Sequence, residues 1–308
     1  MQLVERGKLN LADNAADYYP PLKKLRVIKD LTTGIYGPTV SAKQPITILQ
    51  LLTHTSGLSH GLEETLFDQQ LFKLMYNELF DPAEYNNLKE RIDKLMLVPL
   101  IGQPGEQWYY SAAPDILALI LEKITGQSTE TYLKENIFDP LSMNETGYNV
   151  GLEQQQRIMQ VHFNLEDGTL VNSHVQVPTT GNTVYGGTHG LFSSTEDFLK
   201  FCKMILNKGT LNSQRILSKN TVEMMTKNQI GKLIGQSRGF GFGFGVLYDT
   251  TKDVSPANNG HIYWGGYFKT HFFIDPKEEL IGIIMTQKVP SNEDYIIAIT
   301  QAVYGAID

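Results

Sequence analysis

The chain has 308 residues, 41% of them hydrophobic, enough to bury a large core as one big domain or two intimately associated ones. The 33 acidic against 26 basic residues give a net charge of −7, and no run of Lys and Arg tracks phosphates, which sets nucleic acid aside as a partner. No apolar stretch approaches a membrane span in length, and Cys202, the single cysteine, excludes an intramolecular disulfide framework and a cysteine-based zinc site.

The opening stretch MQLVERGKLNL reads as the end of a helix: Met1, Leu3 and Val4 share a face, Gly7 suits the position after the last turn, and Leu9 and Leu11 resume in extended alternation. A helix this short, without a Ser, Thr or Asp cap, is marginal alone, so more helix is expected upstream; the alternative is a frayed terminus behind a start methionine. No positively charged, apolar leader opens the sequence, so the chain as written is expected in the cytoplasm, and exported if a signal lies upstream of Met1.

Residues 47–58, TILQLLTHTSGL, predict a short helix capped by Thr47 and ended by the turn at Ser56-Gly57. Residues 62–80 and 86–97 give two more helical patterns, broken by Asp81-Pro82. After the turn-rich GQPGEQWYYSA, Leu117, Ile120, Leu121 and Ile124 mark one face of a helix closed by Gly126, and Ser128 caps another. Residues 142–190 are rich in Gly, Thr, Asn and His and predict long loops with isolated short strands. Ser194 to Asp197 predicts a capped helix burying Phe198, Phe201 and Ile205, and Ser218 starts a further short one. The last third changes character: GFGFGFGVLYD, HIYWGGYFKTHFFID and ELIGIIMTQ predict consecutive antiparallel strands, followed by a closing helix over 292–307 with Asn292 as cap. The layout is α+β, with a mostly helical region and its loops over 1–190 and the sheet strands with their helices over 191–308, intertwined as one unit.

Four stretches bear on chemistry. Gly239, Gly241, Gly243 and Gly245 alternate strictly, do not satisfy G-x-G-x-x-G, and fit close backbone approach in strands better than a nucleotide loop. The seven histidines form no H-E-x-x-H, so no metal is expected, and nothing calls for a cofactor. Gly57-Leu58-Ser59-His60-Gly61 matches the nucleophile elbow G-x-S-x-G, which carries meaning only on a strand-to-helix turn of a parallel sheet; an α/β-hydrolase using Ser59 is the reading it would support. Tyr110, in the Tyr109-Tyr110-Ser111-Ala112 segment before a helix, can move a proton if cations stand near it and is otherwise a packed aromatic. Tyr263-Trp264-Gly265-Gly266 is either a bend or a place where substrate approaches backbone N–H groups.

Taken together and in order, MQLVERGKLNLAD, ITILQLLTHTSGL, PGEQWYYS and its helix, ITGQSTETYLKENIFDPLSM, GGTHGLFSSTEDFLKF and the strand with YWGG resemble the serine β-lactamase and penicillin-recognising family. The branch is that of class C-type β-lactamases, D-stereospecific peptidases and family VIII esterases, and the resemblance covers nearly the whole chain. It implies the β-lactamase/transpeptidase-like fold and acyl-enzyme chemistry on a small-molecule ester or amide. It gives Tyr110 the second motif's tyrosine, which takes and returns a proton, and gives Trp264, Gly265 and Gly266 the third motif on the sheet's edge strand. The Tyr267 N–H would then be one oxyanion donor.

This sequence departs from the family at three points. Ala112 stands where the second motif has asparagine, removing an amide that binds the acyl side chain, and Trp264 stands where the third has a cation, weakening attraction for a substrate carboxylate. Both departures resemble the esterase branch. No S-x-x-K occurs in the sequence; the nearest pattern, Thr131 to Lys134, falls in a helix the family uses structurally. The resemblance thus implies that the nucleophile, its lysine and the first strands precede Met1, with the chain as given inactive; the alternative is a non-catalytic binding protein of the same lineage. An unpaired sheet edge is expected to lower stability or drive homo-oligomerisation.

Overall fold

Side-chain caps set most helix starts. In the computed structural model, which describes residues 1–76, 85–175, 177–289 and 294–307, Thr47 closes a full capping box with Gln50, and Thr65, Asn87, Ser128, Ser194 and Ser218 each accept a backbone N–H of their own first turn. The expected break at Asp81-Pro82 and the Asn292 cap lie outside the described residues. The chain divides into two compact units: Met1–Asn136 with Pro178–Leu191, and Ile137–Val177 with Phe192–Asp308.

The first unit holds helices α1 (Gln2–Glu5), α2 (Ala15–Tyr18), α3 (Ile48–Leu52), α4 (Leu66–Met75), α5 (Leu88–Leu95), α6 (Ala113–Thr125) and α7 (Thr129–Leu133), with β1 (Arg26–Ile28) antiparallel to β2 (Thr39–Ser41). Gly126 ends α6 in the left-handed conformation, as its place after the last apolar residue predicts. α3 is shorter than the helix expected over 47–58, because Thr53 caps it and His54 turns left-handed at φ 55°. Leu9 and Leu11 form no strand; the Leu11 carbonyl instead accepts from Leu49 N–H at 2.8 Å. Ile48, Leu51, Phe67, Leu71, Leu100 and Ile116 are among the side chains completely buried in this unit's core.

The second unit holds α8 (Leu152–Gln155), the small ribbons β3 (His162–Asn164) with β4 (Leu170–Asn172) and β5 (Thr210–Leu211) with β6 (Gln214–Arg215), α9 (Thr195–Leu206) and α10 (Lys219–Met225). A five-stranded antiparallel sheet follows, of β7 (Arg238–Phe240), β8 (Gly245–Leu247), β9 (Ile262–Gly265), β10 (His271–Asp275) and β11 (Leu280–Ile284), in the spatial order β11-β10-β9-β8-β7. α11 (Asp294–Tyr304) closes the described part. The glycine run is split by a hairpin, with Gly243 at φ 90°; the glycines are required by neighbours, since a Cβ on Gly241 would stand 2.1 Å from the Met225 carbonyl oxygen. In the sheet, Phe272 packs edge-to-face against Phe198 of α9, whereas Phe273 stacks on Tyr304 of α11, so alternate residues serve opposite faces. Cys202 is fully buried on α9, and burial pushes its thiol up to about 12.

A polar node ties α11 to the sheet. The completely buried Asp275 accepts from the Tyr304 hydroxyl, from both nitrogens of Asn258 and from the backbone N–H groups of Lys277 and Glu278. Tyr304 Oη also lies 3.0 Å from His261 Nδ1, and because its one proton serves the carboxylate, His261 is the donor in that pair. Burial holds His261 near pKa 4 despite Asp275.

Candidate active site

Tyr110 stands where two loops of the first unit are laced together. Ile101 N–H donates to Gly57 O at 2.7 Å, Gly105 N–H to Thr55 O at 2.7 Å, Tyr109 N–H to His54 O at 2.9 Å and Ala112 N–H to Ser59 O at 3.3 Å. The approach is so close that a Cβ on Gly57, which has φ 82°, would meet the Gly102 carbonyl oxygen at 2.1 Å. Three rings surround the half-buried Tyr110: His54 and His60 at 4.8 Å each, and Trp108 stacked at 6.4 Å.

Both histidines are neutral at physiological pH. Burial lowers His54 to about 3, with His60 adding to the effect, and lowers His60 to about 4 against the pull of Asp68. His60 Nδ1 accepts the Leu62 N–H at 3.1 Å, which places its proton on Nε2. His54 Nδ1 lies 3.0 Å from Ser111 Oγ, and Ser111 Oγ in turn accepts from Ala113 N–H at 3.4 Å. The chain around Tyr110 is therefore pinned on both sides by uncharged groups. Ala112 occupies the cap position of α6 without a side-chain cap bond, and its methyl is buried in the core of this unit.

One turn into α6, the fully buried Asp115 holds three pieces of chain. Its Oδ2 takes Arg91 Nε of α5 at 3.1 Å, and its Oδ1 takes the N–H and hydroxyl of Thr188 at 2.9 and 2.8 Å. Burial alone would raise the carboxyl, but Arg91, His189 and the Thr188 bonds outweigh it and hold it below the usual carboxylate range. Arg91 also donates to Tyr76 Oη at 2.9 Å. The segment carrying Thr188 approaches so closely that a Cβ on Gly187 would stand 2.1 Å from the Pro114 carbonyl oxygen.

Ser59 does not fit the elbow reading. It follows helix α3 and a turn rather than a strand, the main sheet is antiparallel throughout, and its buried hydroxyl donates to Asp68 Oδ1 at 2.7 Å while accepting Gly61 N–H at 3.1 Å. That is a serine satisfied inside a turn, not a nucleophile presented at a sheet.

In the second unit, Trp264 pairs across the ladder with Phe272 and packs edge-to-face on Phe240 at 5.0 Å. β9 is the central strand, not the edge strand expected from the resemblance, yet its ladder with β8 ends at Tyr263, so Trp264 and Gly265 pair with β10 alone. Gly265, Gly266 and Tyr267 are exposed at the strand tip. Gly266 N–H donates to Thr270 O at 2.9 Å, and Lys269, at φ 64°, donates back to Gly266 O at 2.9 Å. Thr286 Oγ1 bonds the Phe268 and Lys269 carbonyls at 2.9 and 2.7 Å, and the Tyr295 hydroxyl also donates to Lys269 O, which braces the tip from below.

Tyr110 and Ala112 thus belong to the first unit and residues 264–267 to the second. His54, His60, Ser111 and the Asp115 node escaped the sequence reading. The repeated histidines of THTSGLSH were the available signal, but they gain meaning only once the 101–112 loop is laced across them.

A family model described as Beta-lactamase matches residues 1–306. Protein Rv1367c of Mycobacterium tuberculosis is 30% identical over 94% of this chain and 74% of its own length, and esterase EstB of Burkholderia gladioli is 27% identical over 99% and 78%. Among solved structures, EstCE1, a hydrolase with promiscuous acyltransferase activity, superposes with TM-score 0.80 at 22% identity over 98% of this chain and 80% of that one. Simvastatin synthase from Aspergillus terreus gives 0.75 at 23% identity over 99% and 80%; at such identities these two likenesses bear on the fold alone. The matched model spans almost the entire sequence, and on that ground the chain belongs to the β-lactamase family.

Proposed function

We propose that the chain carries machinery for acyl transfer on esters: within the first unit Tyr110 as the group that moves a proton, and within the second unit the strand tip at Gly265 to Tyr267 as a receiver of an acyl oxygen. The observation that carries this reading is the setting of Tyr110: its ring is held between two neutral histidines, the backbone around it is fixed through His54, Ser59 and Ser111, and it stands three residues before the start of α6. Trp264 in place of a cation favours neutral esters over carboxylate-bearing lactams. Relatives named as esterases and acyltransferases, EstB and lovastatin esterase of Penicillium rubens among them, support the same substrate class.

His54, His60 and Trp108 bring no positive charge to the phenol. A base role for Tyr110 therefore calls for a cation from elsewhere, the part of the Ser-x-x-Lys lysine, and no Ser-x-x-Lys occurs in the 308 residues. This reading accordingly expects no acyl-enzyme from this chain alone. The absent motif also favours a second reading, a non-catalytic acyl-compound binder of the same lineage. Intact mass after exposure to a fluorophosphonate, with peptide mapping, tests both: no adduct on folded protein agrees with them, and a stoichiometric adduct on any serine of the chain overturns them.

A further inference from the structure

A cleft of about 400 Å³ opens in the first unit, lined by residues between 14 and 46 together with Leu100. None of the residues assigned above lines it. In a chain of net charge −7, its walls carry Lys23, Lys24, Arg26 and Lys43 and no aspartate or glutamate. Among the described residues Lys23 and Lys24 form no ion pair, and Arg26 bonds only neutral oxygens: Nε to Thr39 Oγ1 at 2.8 Å, and its two terminal nitrogens to Ser41 Oγ at 3.3 Å and Thr39 O at 3.4 Å. Those bonds use three of the five N–H groups of a guanidinium and fix its plane on the β1–β2 hairpin. Lys43 is held in its turn: its N–H donates to Gln103 Oε1 at 2.8 Å and its ammonium pairs with Glu106 at 2.5 Å, while the neighbouring Gln44 side chain donates to Pro104 O at 2.6 Å.

Like charges gathered around one recess repel one another, and an anion between them relieves the repulsion. Four cations against the one carboxylate of Glu106 leave three charges uncompensated, which matches the roughly three negative charges of a diphosphate ester at neutral pH better than a single carboxylate. Leu25, Ala42, Pro45 and Ile46 give the same cleft an apolar side. We propose that the cleft binds an organic diphosphate, with the phosphates among the four cations and the organic group against that apolar side. Because Arg26 and Lys43 are already tied to the hairpin and to the 103–106 loop, little ordering is left to be done when the ligand enters.

Isothermal titration calorimetry of the chain with inorganic pyrophosphate, at about 20 mM ionic strength, is the test. One-to-one binding is expected, at least about tenfold tighter than that of orthophosphate or of citrate, which has comparable charge without the phosphates. Lys23→Ala/Lys24→Ala, which removes no described side-chain bond, should weaken it at least about tenfold, whereas Lys203→Ala/Lys232→Ala removes the same charge from the second unit and should leave it unchanged. An alkyl diphosphate should bind more tightly than pyrophosphate by covering the apolar side. Absence of pyrophosphate binding, or an equal loss in the two double variants, would overturn the site. Citrate binding as tightly as pyrophosphate would overturn the phosphate assignment, and an alkyl diphosphate binding no better than pyrophosphate would overturn the organic part of the ligand.

Discussion

Asp115 and Asp275 are the most deeply buried carboxylates described in the first and second units, and they are satisfied by different means. Asp115 of the first unit is matched by a buried guanidinium, whereas Asp275 of the second is held by a phenol, an amide and backbone N–H groups. A charge pair in low dielectric is strong only while both partners are present, and losing one leaves an ion stranded. A carboxylate ringed by neutral donors degrades in steps, because each donor carries a part. The first unit should therefore be brittle around Tyr110 and the second more forgiving around its sheet tip.

Acid is expected to expose that contrast most strongly. His54 and His60 in the first unit have folded values of about 3 and 4, and His261 in the second about 4, against 6.5 for the free side chain. Because the unfolded chain takes up protons first, stability is complete above pH 6.5 and is lost as pH falls toward 4. Each histidine should remove on the order of 2–3 kcal/mol by about pH 4.5. The chain's two tryptophans fall one in each unit, so Trp264→Phe leaves Trp108 reporting on the first and Trp108→Phe leaves Trp264 reporting on the second. The transition seen through Trp108 should come at the higher pH; coincidence of the two would mean that the units unfold as one.

Removing a single partner gives the next effects. Arg91→Ala leaves Asp115 buried without its cation and should cost about 3–5 kcal/mol in urea unfolding. Gly57→Ala forces a Cβ onto the Gly102 carbonyl at positive φ and should cost on the order of 2–3 kcal/mol, disturbing the lacing behind Tyr110. Tyr304→Phe removes one donor of several from Asp275 and should cost about 1–1.5 kcal/mol, with His261 left to find another acceptor. If its cost matched that of Arg91→Ala, the contrast between the two carboxylates would fall.

The smallest effect is expected at the strand tip. A Cβ on Gly266 would meet only Thr270 Oγ1, at 2.4 Å, and that hydroxyl rotates away at little cost. Gly266→Ala should therefore change stability by less than about 1 kcal/mol while crowding the position assigned to the acyl oxygen. A large stability loss here would show that the tip is as tightly built as the Tyr110 loop.

What could be read from the sequence was what short-range chemistry decides. Thr47, Ser128, Ser194 and Ser218 cap the helices they were expected to cap, because a side chain reaching a backbone N–H three residues on is a local event. The aromatic and β-branched runs of the last third form the sheet. What stayed hidden depends on chain segments meeting from afar: His54 gains its place beside Tyr110 only through bonds to a loop some 50 residues later, and Asp115 is understood only with Arg91 and Thr188 in view. The end of α3 was misjudged for a related reason, since a left-handed histidine is held by tertiary contacts that a propensity does not contain.

The burial of Cys202 has a practical corollary. With its only thiol enclosed and raised to about 12, the chain is expected to resist maleimide at neutral pH while folded, which a mass measurement after exposure to the reagent checks. A cysteine introduced at Tyr36 in the first unit and another at Val254 in the second, both strongly exposed, would then be the only two handles for a dye pair, and energy transfer between them would give the distance from one unit to the other in solution.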